Sequence, residues 1–466
     1  VINKKGSTDL SDLSNGVERT SLDKSVFTPL FSPKNIAPLI TFRILFGLLM
    51  LVGAIRFVAN GWVESLYIEP RFFFKFYGFE WVQPLSESGM YALMGMIMLS
   101  ALCIMLGFLY RVMTILFFLS FTYLELIDAT NYLNHYYLVC LLALLLIFLP
   151  AHKSFSLDAK LWPSLRAQQV PAWTILILMF QLTLVYFFAG LAKLNADWLF
   201  SALPVKIWLR EHVDLPLLGY FFQFSWVAFV FSWFGALYDL TIAFFLMNSR
   251  TRGIAYFFVV VFHLMTWLLF NIGLFPVIMI FNTLIFFPAR MHERWLAVIG
   301  YQPDGITQTS YSIQPFFKKV LPIAIASYAI IQIALPLRHL AYTGNPMWTQ
   351  EGYRFSWRVM LMETSGNATF YIEDKVLGRK TELNNANYLT TFQEKEMSTK
   401  PDFMIQYAHY LAELFREKHG FHEPIVTVDA FVALNGRVSK RLIQEGLNLA
   451  EIEDGLGGKA FILKDH

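Results

Sequence analysis

The sequence predicts a helical membrane protein: a bundle of about nine transmembrane helices followed by a mixed α+β, strand-rich domain outside the membrane. Three observations point there. Of the 466 residues 56% are hydrophobic and 17% aromatic, and the mean hydropathy is +0.48. Only 15% are charged, against about 25% in an ordinary soluble domain. The charges are also unevenly spread. Residues 338–466 hold 32 in 129 positions, residues 1–35 hold 9, and residues 36–337 hold 30 in 302. The chain therefore divides into a polar N-terminal tail (1–35), a membrane domain (36–337) and a water-soluble domain (338–466). This composition excludes a disordered chain, a collagen-like chain and a typical cytosolic enzyme. A net charge of +3 with no long basic run excludes nucleic acid as a partner. Cys103 and Cys140 both lie in apolar stretches, so no disulfide framework or zinc spacing is expected, and no metal site is apparent. The first apolar run is long enough to span, so no cleavable signal peptide is expected.

The spans read as 36–58, 88–109, 112–128, 134–150, 172–192, 225–247, 254–270, 273–288 and 318–337. The 134–150 and 273–288 segments are shorter than the roughly 20 residues of a straight span, as expected of half-spans or helices that begin in a protein-lined cavity. Basic residues set the orientation. Arg111, Lys153, Lys160, Arg166, Arg250, Arg252, Arg290, Arg294, Lys318 and Lys319 fall in loops on one side, together with the tail. That side is expected to be cytoplasmic and the C-terminal domain outside, in the periplasm of a bacterium or the endoplasmic reticulum lumen of a eukaryote.

In the C-terminal domain, GYRFSWRVMLM and ATFYIED alternate as strands do, and GRKTEL reads as a turn and short strand. Residues 400–418 carry apolar side chains at helical spacing. IVTVDAFVAL, Asn435-Gly436 and RVSKRLI read as a hairpin.

Polar groups at membrane depth are costly, so each needs a reason. Asn131, Asn134 and His135 lie at the outer end of the fourth span, and Lys193 at the outer end of the fifth. The topology thus delivers His135 and Lys193 to similar depth on the same side. A desolvated lysine there is expected to be neutral and basic, with a neighbouring His or Asn orienting it or stabilising an anion. The plainer alternative is a lysine that snorkels to the interface and does no chemistry. Asp239 and His263, both mid-span, are expected to be paired within the bundle, either structurally or along a path for substrate or protons. Arg43, early in the first span, is expected to snorkel or pair.

Several segments resemble the vitamin K-dependent gamma-glutamyl carboxylases and the wider bacterial group that shares their horizontally transferred transmembrane domain. The matching stretches are Phe42-Arg43-Ile-Leu-Phe-Gly47, Met105-Leu-Gly-Phe-Leu-Tyr110-Arg111, Asn134-His135-Tyr-Tyr-Leu, and Tyr186-Phe-Phe-Ala-Gly190 with Lys193-Leu-Asn-Ala-Asp197-Trp198. Further on come Phe262-His263-Leu-Met265 with Ile272-Gly273, Leu335-Pro336 with His339, Trp348, and Gly352-Tyr353-Arg354-Phe355-Ser356-Trp357. The resemblance as a whole runs in order from about 40 to 440.

The resemblance implies an enzyme that couples oxygenation of reduced vitamin K to its epoxide with carboxylation of peptide glutamate. It puts Lys193 in the role of the base that deprotonates the hydroquinone, a phenol-like acid with a pKa of about 10. Asn134 and His135 fall on the pair that handles the anionic intermediates. Tyr353, Ser356 and Trp357 become candidates for holding the glutamate; Arg354 and Arg358, at positions that differ in type from the animal enzymes, are candidates by their charge for pairing with its carboxylate. His263, Met265 and Asn271 become candidates for the quinone pocket. The implied cofactor is reduced vitamin K (phylloquinol or menaquinol), with O2 and CO2 as co-substrates and no metal. The implied partners are a glutamate-containing peptide or protein, membrane lipid and quinone. Downstream of Trp357 the chain reads Met362-Glu363-Thr364, where the animal enzymes carry a His- and Arg-containing stretch. The compact chain is what a bacterial homologue would show. An epoxidase without carboxylation stays open, as do a transporter and a non-catalytic scaffold.

Overall fold

Hydrophobic runs and charged breaks build two layers of structure along the chain. The structure is a computed structural model that describes residues 28–270, 272–302, 311, 315–376 and 378–465. Most of the expected N-terminal tail, and Asn271, lie outside the described residues.

Among the described residues seven helices are long and apolar enough to cross a membrane. Their helical segments are α1 (Ala37–Ala59), α2 (Glu87–Leu106), α3 (Tyr110–Ile127), α5 (Trp173–Ala192), α7 (Ser225–Met247), α8 (Arg252–Leu269) and α10 (Pro315–Leu337). Two shorter apolar helices lie between them: α4 (Asn134–Phe148), and α9 (Phe275–Asn282), which runs on into a 3-10 turn. The expected nine spans include these two; length and composition support seven. Outside the spans, α6 (Ala196–Phe200) follows α5.

The helices pack as a bundle, α1 on α2, α2 on α3, α3 on α4 and α5 on α7. Glycine decides two of these approaches. A Cβ on Gly47 would lie 2.5 Å from the Met105 nitrogen, and one on Gly190 would lie 2.6 Å from the Leu240 nitrogen. Only backbone can touch backbone there.

At one end of the bundle, Arg43 is fully buried and donates to the carbonyls of Phe155 (2.6 Å) and Ile104 (3.4 Å). It pairs, as expected, but with carbonyls. The Asp158 carboxylate accepts the first amides of α3, from Leu109 (2.7 Å) and Tyr110 (3.0 Å), which a helix otherwise leaves unbonded. Gly107 closes α2 in the left-handed conformation (φ +65°) directly beneath the Arg43 guanidinium. The Phe-Arg and Gly-Phe-Leu-Tyr-Arg stretches thus form one structural knot.

A short antiparallel pair, β1 (Pro33–Asn35) and β2 (Gln169–Pro171), ties the start of α1 to that of α5. The C-terminal region is mixed α and β. Its antiparallel sheet has the order β4 (Lys380–Glu382), β3 (Thr364–Asp374), β5 (Pro424–Leu434), β6 (Lys440–Arg441). Two helices, α11 (Thr391–Met397) and α12 (Pro401–His419), complete it. Phe403, Tyr407, Leu411 and Phe415 of α12 recur every four residues and are buried, with β5 packed alongside. The hairpin turns at Asn435 and Gly436, both at positive φ (53° and 71°).

One element differs from the sequence reading. Residues 352–358 form a chain of turns with no strand, and Gly352, Phe355, Trp357 and Met360 all have positive φ. The alternation that resembles a strand comes from burial between two bodies: Trp357 stacks on Tyr137 of α4 at 5.0 Å, and Phe355 meets Tyr132 and Tyr137 at 5.0 Å each.

The sheet domain sits on the bundle end formed by the close of α1, α3 and α5 and the start of α4. Gln393 donates to Asp128 Oδ2 and to the Phe72 carbonyl, 2.7 Å each. Gln406 exchanges hydrogen bonds with the backbone of Lys75.

Candidate active site

The segment after α5 is built residue by residue to present one amine. Gly190 lets α5 lie against the α7 backbone beside Asp239. One turn later Lys193 closes the helix, and its Nζ reaches Asp239 Oδ2 at 2.7 Å and the Ala189 carbonyl at 3.3 Å. Both side chains are buried, about 6% and 7% exposed. Asn195 caps α6 by accepting the Trp198 amide at 3.0 Å. Trp198 then lays its ring 5.3 Å from the lysine nitrogen and donates through Nε1 to the Ser232 carbonyl at 2.7 Å.

Asp197 points the other way, into the sheet domain. It accepts from Asn435 Nδ2 and Arg437 Nη1 at 2.8 Å each, and from Arg437 Nη2. Burial would raise its pKa, and the bonds from Arg437 and Asn435 outweigh that, holding the carboxyl below its ordinary range.

Lys193, Asp239, Trp198 and Tyr186 line a largely apolar cavity of about 270 Å³ within the bundle. His263 and Met265 line it too. His263 Nε2 lies 2.9 Å from the Tyr186 hydroxyl, and its Nδ1 has no partner among the described residues. Trp208 forms another wall and is held by Glu363, whose Oε2 accepts its indole N–H at 2.8 Å.

Asn134 and His135 line a second, larger cavity of about 510 Å³. The structure brings them next to Lys193 without joining them to it. The two cavities share a wall of Ile272, Phe275, Val359 and Met360. Phe275 stands between the histidines, 5.4 Å from the His135 ring and 6.1 Å from the His263 ring. Asn134 donates from Nδ2 to the Arg358 carbonyl at 3.2 Å and accepts from the Tyr132 hydroxyl at 3.0 Å; that hydroxyl in turn takes the Phe355 amide at 2.8 Å. Asn134 therefore anchors residues 355–358 to the bundle.

The five candidates of residues 353–358 divide. Arg354 is ion-paired with Asp402 and lies 4.4 Å from the Phe403 ring. Burial would raise the Asp402 pKa, and Arg354 outweighs it, so the carboxyl sits below its ordinary range. Ser356 donates its hydroxyl to the Tyr353 carbonyl. Trp357 is buried, with Nε1 unpartnered among the described residues. Burial pushes the Tyr353 phenol up to about 12. Arg358 keeps a buried guanidinium nitrogen, Nε, without a partner among the described residues, at 8% exposure, and burial lowers its pKa. It lines both the second cavity and an outer polar cavity of about 560 Å³ bounded by Asn195, His339, Asn345 and Ser356.

Sequence reasoning missed Glu125 on α3, which also lines the second cavity. The rule that flagged Asp239, a charge within an apolar span, would have found it. It missed Asn435 and Arg437 as well, because nothing local links them to Asp197.

Two family models match the chain. The HTTM domain covers residues 31–290, and the lumenal domain of vitamin K-dependent gamma-carboxylase covers residues 317–466. The chain belongs to the vitamin K-dependent gamma-carboxylase family. No solved structure matches it. Membership implies reduced vitamin K as the cofactor and a carboxylase-like function. A carboxylase-family membrane domain and a lumenal-type domain therefore meet in this one chain, at the end of the bundle where Lys193, His135 and Arg358 lie.

Proposed function

We propose that this protein couples oxygenation of a reduced vitamin K to carboxylation of glutamate side chains, with Lys193 as the initiating base. The observation that carries the reading is the buried Lys193–Asp239 pair facing an apolar cavity one aromatic ring away from the His135 chamber. The residues fit a quinol. The walls are largely apolar, one amine faces in, and the buried His263 Nδ1 has no other partner among the described residues.

When bound, the reduced quinone supplies, by reaction with oxygen, the strong base that an amine cannot be. Lys193 starts the chemistry by accepting a phenol-like proton. To do so it must be unprotonated when the quinol binds, and Asp239, at 2.7 Å, is the group placed to take up its proton. The ammonium formed on Lys193 is then held 2.7 Å from Asp239. His263 and Tyr186 orient the ring hydroxyls, and Met265 packs the pocket. His135 faces the chamber where negative charge develops and stabilises it. Arg358, reachable from the outer polar cavity, pairs with the substrate carboxylate, with Ser356 on the same wall to meet the peptide, while Tyr353 and Trp357 position this segment by packing. Arg354 supports the fold through Asp402. That loss of a carboxylate partner favours, as a second reading, a quinol epoxidase with a reduced peptide site.

The test uses purified protein in nanodiscs with reduced vitamin K, oxygen, labelled bicarbonate and a glutamyl peptide. Epoxide and peptide label should both appear, and Lys193→Ala should lower both by about 100-fold or more. Epoxide without label would establish the second reading. Neither product from folded protein would refute both.

A further inference from the structure

The second cavity holds an acid that the chemistry above leaves unused. Glu125 lies two residues from the end of α3, in the run Tyr123-Leu-Glu-Leu-Ile127. It lines the 510 Å³ chamber with His135 and Asn134. Its carboxylate makes no hydrogen bond or ion pair among the described residues. The titratable groups that face it are Tyr67, Tyr136 and Cys140. Arg56, exposed and 4.8 Å from the Trp62 ring, sits at the rim without pairing to it. An acid kept at membrane depth with no counterion loses stability that a leucine would supply. Packing gives no reason for it.

The stoichiometry of the proposed reaction gives one. Quinol, O2, a glutamyl Cγ–H and CO2 yield epoxide, water and a γ-carboxylate. The quinol is oxidised, and O2 is reduced to the epoxide oxygen and the water. The two quinol hydrogens leave in that water. The Cγ–H bond breaks, a C–C bond forms, and the hydrogen lost from carbon is left over as one proton per carboxylation. That proton must leave a buried site, and Lys193 must return to its unprotonated form before the next turnover.

We propose that Glu125 carries this proton from the reaction chambers to the rim of the second cavity. His135 stands in the same chamber, beside the wall shared with the Lys193 cavity. A carboxylate with no fixed partner can load and unload a proton without breaking an ion pair. The inference rests on the reading of function above, and the two can fail separately.

The experiment compares wild type with Glu125→Gln and Glu125→Asp in nanodiscs, by rapid quench and at steady state. Glu125→Gln should make epoxide in its first turnover within about twofold of wild type, and its steady-state epoxide and label should fall about tenfold or more. Added imidazole or formate should restore the steady-state rate, which a structural defect would not allow, and Glu125→Asp should retain most of it. An unchanged steady state in Glu125→Gln, or no rescue, overturns the relay. A wild type that makes no epoxide overturns instead the function on which the relay rests. The infrared spectrum then still tests the carboxyl: it should show a band absent from Glu125→Gln that exchanges rapidly in heavy water, and a slowly exchanging band counts against the relay.

Discussion

Lys193 is legible in the sequence because a charge at the end of an apolar helix needs a reason, and the family motif around it supplies one beyond snorkelling. Its partner Asp239 is legible as a charge within an apolar span. What the sequence hides is that the two share one bond, 46 residues apart, because the contact depends on the backbone approach at Gly190. In the proposed function this bond replaces a merely desolvated amine with a pair placed to pass one proton between its members. It also yields a stability prediction. Lys193→Ala leaves the buried Asp239 carboxyl without its hydrogen-bond partner, a defect that costs about 1–3 kcal/mol. Removing Asp239 as well relieves it, so Lys193→Ala/Asp239→Ala should melt higher in detergent than Lys193→Ala alone. Equal melting temperatures would show that the pair is not the buried unit described here. Arg358 carries a second prediction. Arg358→Lys should raise KM for the glutamyl peptide and leave peptide-free epoxidation unchanged; equal losses in both would remove Arg358 from the peptide site.

At the scale of elements, periodicity reports burial, and burial has more than one cause. The amphipathic helix α12 and the strands β3 and β5 were legible because each buries one face within its own domain. Residues 352–358 mislead because their apolar side chains are buried against α4, a contact that no local pattern encodes. The short helices α4 and α9 also read correctly as short, since hydrophobic length is local information. Gly190 makes the element scale testable. A methyl group there must push α7 away from α5, at about 1–3 kcal/mol. Gly190→Ala should therefore lower both stability and epoxidation, and an active, fully stable Gly190→Ala would refute the close approach. The Asp197–Arg437 contact between α6 and the hairpin responds to acid. The folded pKa of Asp197 lies below its unfolded value, so its contribution is full above about pH 4. It is lost as the pH falls through the folded value. Arg437→Gln should loosen residues 424–441 at neutral pH, seen as faster hydrogen exchange, and should differ least from wild type in strong acid.

At the scale of the molecule, residues of both domains meet at the candidate site, and the sheet domain is not a detachable cap. Asp197, four residues after Lys193, is held by Asn435 and Arg437; Asn134 holds the Arg358 carbonyl; Glu363 holds a wall of the Lys193 cavity. The family was legible from motifs in both halves, whereas the division into two chambers was not, because it depends on side chains from α4, α8, α9 and residues 359–360 meeting in space. Phe275, standing between those chambers, has a consequence for yield. If oxidation begins on one side of this ring and carbon is attacked on the other, the ring decides how many oxidative cycles run idle for each glutamate modified. Phe275→Ala should raise the ratio of epoxide to carboxylated peptide, with little change in epoxide alone. An unchanged ratio would mean that the phenyl ring is a wall and nothing more. A raised ratio would make one aromatic side chain the governor of the enzyme's fuel efficiency.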